Sequence, residues 1–100
     1  MSSVVNKLLK AVAKEYGVSV DAIFSKSRQQ DTAEARQMAM YLIHEILGYG
    51  SVCIGEMFGR KRTTVIHAIQ KIRDFVSVDR WTQQHYANLR GALGLDISPK

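Results

Sequence analysis

Ile54-Gly55-Glu56-Met57-Phe58-Gly59-Arg60-Lys61-Arg62-Thr63-Thr64-Val65-Ile66-His67-Ala68 has the pattern of a short helix, a glycine-containing turn and a longer helix. The spacing predicts the first helix over Val52 to Phe58, with Ser51 as its cap and Gly59 as its stop. The second begins near Arg62 or Thr63 and runs to about Val76, turning Val65, Ala68, Ile69, Ile72 and Val76 inward. Two helices joined in this way make a helix-turn-helix, whose second helix enters the major groove with its N-terminal residues at the base edges. Here it opens on three successive cations, Arg60, Lys61 and Arg62. Free backbone N–H groups and the positive end of the helix dipole meet phosphate oxygens at the same place. Thr63 and Thr64 add hydroxyls for bases or phosphates and methyl groups for a thymine methyl. Thr63, His67 and Gln70 then form a polar stripe opposite the apolar one. A basic triplet in isolation is more often a solvated turn; its place between these two helices favours a polyanionic partner.

The rest of the chain reads as helices that support this unit. Val5, Leu8, Leu9, Val12, Ala13 and Tyr16 fall at helical spacing from Val4 to Tyr16, and Gly17 ends the helix. Ser19 caps a helix of one to two turns through Phe24, and Ser25 to Gln30 is a polar, basic loop carrying Lys26 and Arg28. Asp31 or Thr32 caps a third helix, with Glu34 completing a capping box from Asp31; this helix runs to Gly48 and is the central buried one. Arg36 and Gln37, early on it, form a polar pair able to hold phosphates. Asp79 caps a last helix through Trp81, Tyr86, Leu89 and Leu93, and a tail begins at Gly94. The expectation is an all-α domain of about six helices around one core, a single unit over residues 1–100 with its core at about 4–93.

Composition agrees. Fourteen Lys and Arg against nine Asp and Glu give a formal net charge of +5, which favours nucleic acid or anionic lipid as partner. No apolar run approaches the roughly 20 residues needed to cross a bilayer. The single cysteine, Cys53, cannot form an internal disulfide. The expected address is the cytoplasm, on the nucleoid, with a membrane an unfavoured partner.

Five separated segments resemble, in order and spacing, the C-terminal DNA-binding domain of the bacterial replication initiator DnaA. They are Tyr16-Gly17-Val18, Ser25-Lys26-Ser27-Arg28, Arg36-Gln37-Met38-Ala39-Met40-Tyr41-Leu42, Ile54-Gly55-Glu56-Met57-Phe58-Gly59 and Thr63-Thr64-Val65-Ile66-His67-Ala68. The resemblance implies an all-helical fold that recognises a short asymmetric duplex site, the DnaA box, with one domain per site. It implies that Arg28 enters the minor groove, that Thr63 and Thr64 contact bases, and that Arg36 and Gln37 contact the backbone. The chain departs from the family where Lys61-Arg62 replaces Asp-His before the threonine pair, which exchanges an acid for a cation suited to guanine or phosphate. The turn is also one residue shorter, Val52-Cys53 replaces Pro-Glu, and Glu34 stands where an arginine is common.

The site expected for double-stranded DNA is therefore Lys26, Arg28, Arg36, Gln37, Arg60, Lys61, Arg62, Thr63, Thr64 and His67. No catalytic set, cofactor or metal is expected: His44-Glu45-Ile46-Leu47-Gly48 begins like a zinc-protease helix but has Gly48 in place of the second histidine. Trp81 and Tyr86 are expected in the core, and Tyr49 nearer the surface. The initiator's phosphate-binding loop, Gly-x-x-x-x-Gly-Lys-Ser/Thr, does not occur in this sequence. The expected role is that of a stand-alone relative regulating replication or transcription, with other replication or regulatory proteins as further partners. Two alternatives stay open: a fragment of a divergent initiator, and an adaptor for proteins or anionic membrane surfaces that keeps the fold without base recognition.

Overall fold

Val5, Leu8, Leu9, Val12 and Ala13 are the buried stripe of α1 (Ser3–Tyr16) in a computed structural model that describes residues 3–94. The tail expected after Gly94 lies outside the described residues. Five further helices follow among them: α2 (Val20–Phe24), α3 (Gln30–Leu47), α4 (Ser51–Phe58), α5 (Arg62–Val78) and α6 (Arg80–Ala92). The all-α expectation and the order of the helices hold.

α3 is the axis of the fold. Ala35, Met38, Ala39, Leu42 and Ile43 have no accessible surface, and α1, α2, α4 and α5 all pack on this helix. Each fully buried Met, Leu or Ile side chain contributes about 1.5–3 kcal/mol, so the centre of the molecule is set by α3 and its neighbours. α5 buries Val65, Ala68, Ile69 and Ile72 while packing on α3, α4 and α6, and leaves Thr63, Thr64, His67 and Gln70 exposed. α6 closes the back by packing on α1 and α5. Two polar clasps hold it there: Glu45 accepts from the hydroxyls of Tyr41 and Tyr86, both at 2.7 Å, and Glu15 accepts from His85 Nδ1 at 2.8 Å and Asn88 Nδ2 at 2.9 Å. The His85 ring also stacks on Tyr16, with centroids 4.3 Å apart. Where α1 begins and α6 ends, Val4, Leu8, Ile46, Leu47 and Leu93 line one shallow apolar groove.

Several helix ends differ from the sequence expectation. α3 starts at Gln30, ahead of Asp31 and Thr32, and its N-cap Gln29 makes no side-chain cap bond. The cause lies in the preceding loop. Ser27 N–H donates to Ser25 Oγ and Gln29 N–H to Ser27 Oγ, each at 3.2 Å, so two hydroxyl turns bring the chain round and let the helix begin early. Thr32 is buried instead of capping, and Glu34 accepts from Gln30 Nε2 at 3.4 Å in place of a capping box. Ser51 is the first residue of α4 and Gly50 occupies the cap. Trp81 is 63% exposed, not core, because α6 turns Thr82 and Leu89 inward; Tyr86 is half-buried. Tyr49 packs on the core, its carbonyl 2.9 Å from His44 Nδ1. Asp79 caps α6 as expected, accepting from the N–H of Thr82 at 2.9 Å and its hydroxyl at 2.8 Å.

The tightest point of the helix-turn-helix is Gly55, where a Cβ would lie 2.7 Å from the carbonyl oxygen of Arg60. Arg60 N–H donates to Gly55 O at 2.8 Å, so the turn is folded flat on α4 and the obstructing atom is backbone that cannot rotate away. Gly55→Ala is therefore expected to cost about 1–3 kcal/mol by overpacking, a fall in melting temperature on the order of 5 °C per kcal/mol for a domain of this size, read by circular dichroism.

A second expectation concerns acid. Its bonds from Thr82 hold the Asp79 carboxyl below its ordinary value of 3.8. The cap's contribution is full above the unfolded-state value and is lost as pH falls through the folded-state one. Asp79→Ala should lower the melting temperature at pH 7, and the gap to wild type should narrow as pH falls through the folded-state value.

Candidate nucleic-acid interface

One face of the molecule collects Lys26, Arg28, Arg36, Arg60 and Lys71. Its first element is the loop between α2 and α3, in which Lys26 and Arg28 are exposed while Ser25 and Ser27 are half-buried. Arg36, in the second turn of α3, holds this loop from beneath. Its Nε donates to Ile23 O at 2.8 Å, and its Nη2 to Ser25 O at 2.6 Å and Ser27 O at 3.2 Å. Ile23 O belongs to the last turn of α2, where a helix leaves carbonyls without intrahelical donors, and Ser25 O and Ser27 O to the cap and loop just past it. The guanidinium takes the place of those donors and is 7% exposed as a result. Burial pushes Arg36 below its ordinary pKa, and the neighbouring charge of Arg60 adds to the shift.

The second element is the turn that opens α5. Gly59 ends α4 with φ +64°, a left-handed conformation that favours glycine. Arg60 sends its Nη2 back to Ser25 O at 2.8 Å, while Lys61, at the N-cap, and Arg62, the first helical residue, are exposed. Thr63, Thr64, His67 and Gln70 follow on the open side of α5, all exposed. Thr64, His67 and Lys71 share a recess with Gln37 and Met40 of α3, and Lys26, Ser27 and Arg28 border an adjoining one. Arg36 and Arg60 line both recesses, so the surface is continuous from the loop to the middle of α5. Gln37 Oε1 is buried with no hydrogen-bond partner among the described residues.

The two recesses gather seven of the ten expected site residues, with Lys61, Arg62 and Thr63 exposed where α5 begins, but Arg36 and Arg60 point their donors into the protein. Arg36 and Arg60 bond to backbone carbonyls, whereas Lys26, Arg28, Lys61, Arg62, Thr63, Thr64 and His67 face solvent. Sequence reasoning missed Lys71, which stands four residues past His67 and seven past Thr64 and so continues the exposed row by helical spacing. The arrangement presents hydroxyls, an imidazole and fixed positive charge along a helix whose N-terminus is open, flanked by a basic loop. Those are groups suited to phosphate oxygens and base edges. Among the described residues no cluster of three or more His, Cys, Asp or Glu is placed to hold a metal, and no helix is long and apolar enough to cross a membrane.

The sequence matches the family model described as bacterial dnaA protein helix-turn-helix over residues 5–72. It is similar to the chromosomal replication initiator protein DnaA of Mycoplasma capricolum subsp. capricolum, 44% identical over 77 residues covering 76% of this chain and 17% of that protein. The DnaA of Oenococcus oeni is 40% identical over 81 residues, covering 80% of this chain and 18% of that protein. That of Pseudothermotoga lettingae is 37% identical over 71 residues, covering 71% of this chain and 16% of that protein. The chain therefore spans less than a fifth of the length of these curated relatives.

Proposed function

The chain belongs to the bacterial DnaA helix-turn-helix family, and from that membership we propose that it binds double-stranded DNA sequence-specifically, with α5 in the major groove and the Lys26–Arg28 loop in the adjacent minor groove. The observation that carries the proposal is the continuity of one exposed face. Thr64, His67 and Lys71 on α5 line a recess that adjoins the one bordered by the basic loop, so a duplex laid along α5 meets both elements at once.

In this reading Thr63 and Thr64 address base edges, and Lys61 and Arg62, at the open helix start, address guanine or the flanking phosphates. Lys26, Gln37, His67 and Lys71 hold the backbone, and Arg28 reaches the minor groove, where negative potential is focused. Arg36 and Arg60 lend their charge to the face while their hydrogen bonds serve the protein. The site addressed is related to the DnaA box, one domain occupies one site, and occupancy regulates replication or transcription. Because Lys61-Arg62 replaces an acid and a histidine, the preferred sequence shifts at the bases they meet.

Fluorescence anisotropy with a DnaA-box duplex, a scrambled duplex and a random-sequence pool, each over a salt series, tests the proposal. A preference of several kcal/mol for one duplex at physiological salt is expected, since specific and sequence-blind modes differ by roughly that much. Thr63→Ala should reduce that preference by about fivefold, whereas Lys71→Ala should weaken all duplexes alike and lower the slope of log K against log salt by about 0.9. Equal, purely salt-driven binding to all three DNAs overturns the reading.

A further inference from the structure

The junction between the loop and the turn is built more firmly than either element alone. Phe24, the last residue of α2, packs on Phe58, the last of α4, with ring centroids 4.9 Å apart. The next residues out are polar and meet directly above this apolar base: Arg60 Nη2 donates to Ser25 O at 2.8 Å across 35 residues of sequence. The same carbonyl accepts from Arg36 Nη2 at 2.6 Å, so both lone pairs of one oxygen are engaged by guanidinium groups. Arg60 is also fixed at its root, because its N–H is bonded to Gly55 O and its carbonyl lies against Gly55. A side chain anchored at both ends is a strut, and here it spans the two elements that the reading above assigns to different grooves.

We propose that Arg60 is a positioning residue: it holds the Arg28-bearing loop at a fixed offset from the start of α5, instead of meeting DNA itself. The inference rests on the DNA-binding reading and adds a division of labour within the cationic triplet. Lys61 and Arg62 face solvent and are free to meet DNA; Arg60 is half-buried and directs its donor at the protein. Through Arg60 the minor-groove and major-groove elements act as one rigid reader, so correct sequence is recognised over the whole span and not piecewise.

The experiment separates positioning from contact. Anisotropy titrations of the full chain with the DnaA-box duplex and with random duplex, over a salt series, compare wild type, Arg60→Ala, Arg60→Lys, Arg28→Ala and the Arg28→Ala/Arg60→Ala double variant. The lysine ammonium keeps the charge but ends one bond short of the Nη2 position. Arg60→Lys should therefore bind random duplex as wild type does, with an unchanged salt slope, yet lose about tenfold on the box duplex, the scale of a lost charge-assisted hydrogen bond. In the Arg28→Ala background, removing Arg60 should have almost no further effect on preference, because the loop then has nothing left to position.

Hydrogen exchange of the free protein should show faster exchange at the Ser27 and Gln29 amides in Arg60→Lys, with α5 protected as in wild type. Additive effects of the two alanine changes, each lowering the salt slope by about 0.9, would make Arg60 a phosphate contact and overturn the proposal. Wild-type affinity of Arg60→Lys on both duplexes would do the same. If wild type prefers neither duplex, the DNA-reading proposal falls by itself, and the exchange comparison still decides whether Arg60 holds the loop.

Discussion

A buried guanidinium bonded to backbone carbonyls is the constraint on which this structure depends. Arg36 sits in the first turns of the central helix, and its fork collects the oxygens of Ile23, Ser25 and Ser27. Burying a charge is costly unless hydrogen bonds replace the lost water, and carbonyl oxygens at the end of a helix are the cheapest acceptors available, since they lack donors of their own. The bonds therefore solve two problems together. They satisfy the end of α2, and they turn a five-residue helix too short to persist alone into a fixed support for the loop beyond it.

The charge balance of the face follows from that choice of acceptors. The Glu15–His85 hydrogen bond and the Glu45–Arg90 ion pair tie α6 to α1 and α3 at the back of the molecule. On the cationic face Arg36 and Arg60 find their acceptors in neutral backbone, so their positive charge is held in place without being cancelled. A surface that orders its cations on carbonyls keeps its full attraction for a polyanion and loses little side-chain freedom on binding. The lowered pKa of Arg36 is the cost of that arrangement, and it is small because an arginine has so far to fall before it loses its proton.

How far the sequence foretold this depends on the range of the interaction concerned. Features set by neighbours three or four residues apart were legible: the stripe of α1, the Ser19 and Asp79 caps, the glycine stops of α3 and α4, the inward row of α5. The start of α3 was misplaced because Asp31 and Thr32 are good caps in isolation, while Ser25 and Ser27 bend the chain one step earlier. Trp81 was misplaced because helical spacing shows that a face exists without showing whether another element covers it. The composition of the cationic face was legible, but its division was not. That Arg36 and Arg60 turn inward depends on Ser25, 11 and 35 residues away, and no local pattern encodes such a pairing.

The apolar groove lined by Val4, Leu8, Ile46, Leu47 and Leu93 has a mechanical meaning. The beginning of α1 and the end of α6 meet there, beside the C-terminal end of α3, whereas Arg36 and Gln37 lie nearer the other end of the same helix, about 15 Å away at 1.5 Å per residue. A tension applied at either end of residues 3–94 is thus delivered to α1, α6 and the foot of α3. α6 shares that load with α1 and α3 through the Glu15 and Glu45 clasps and with α5 by direct packing. The two ends of the described residues thus share one apolar seam, and a load on either is spread over three helices.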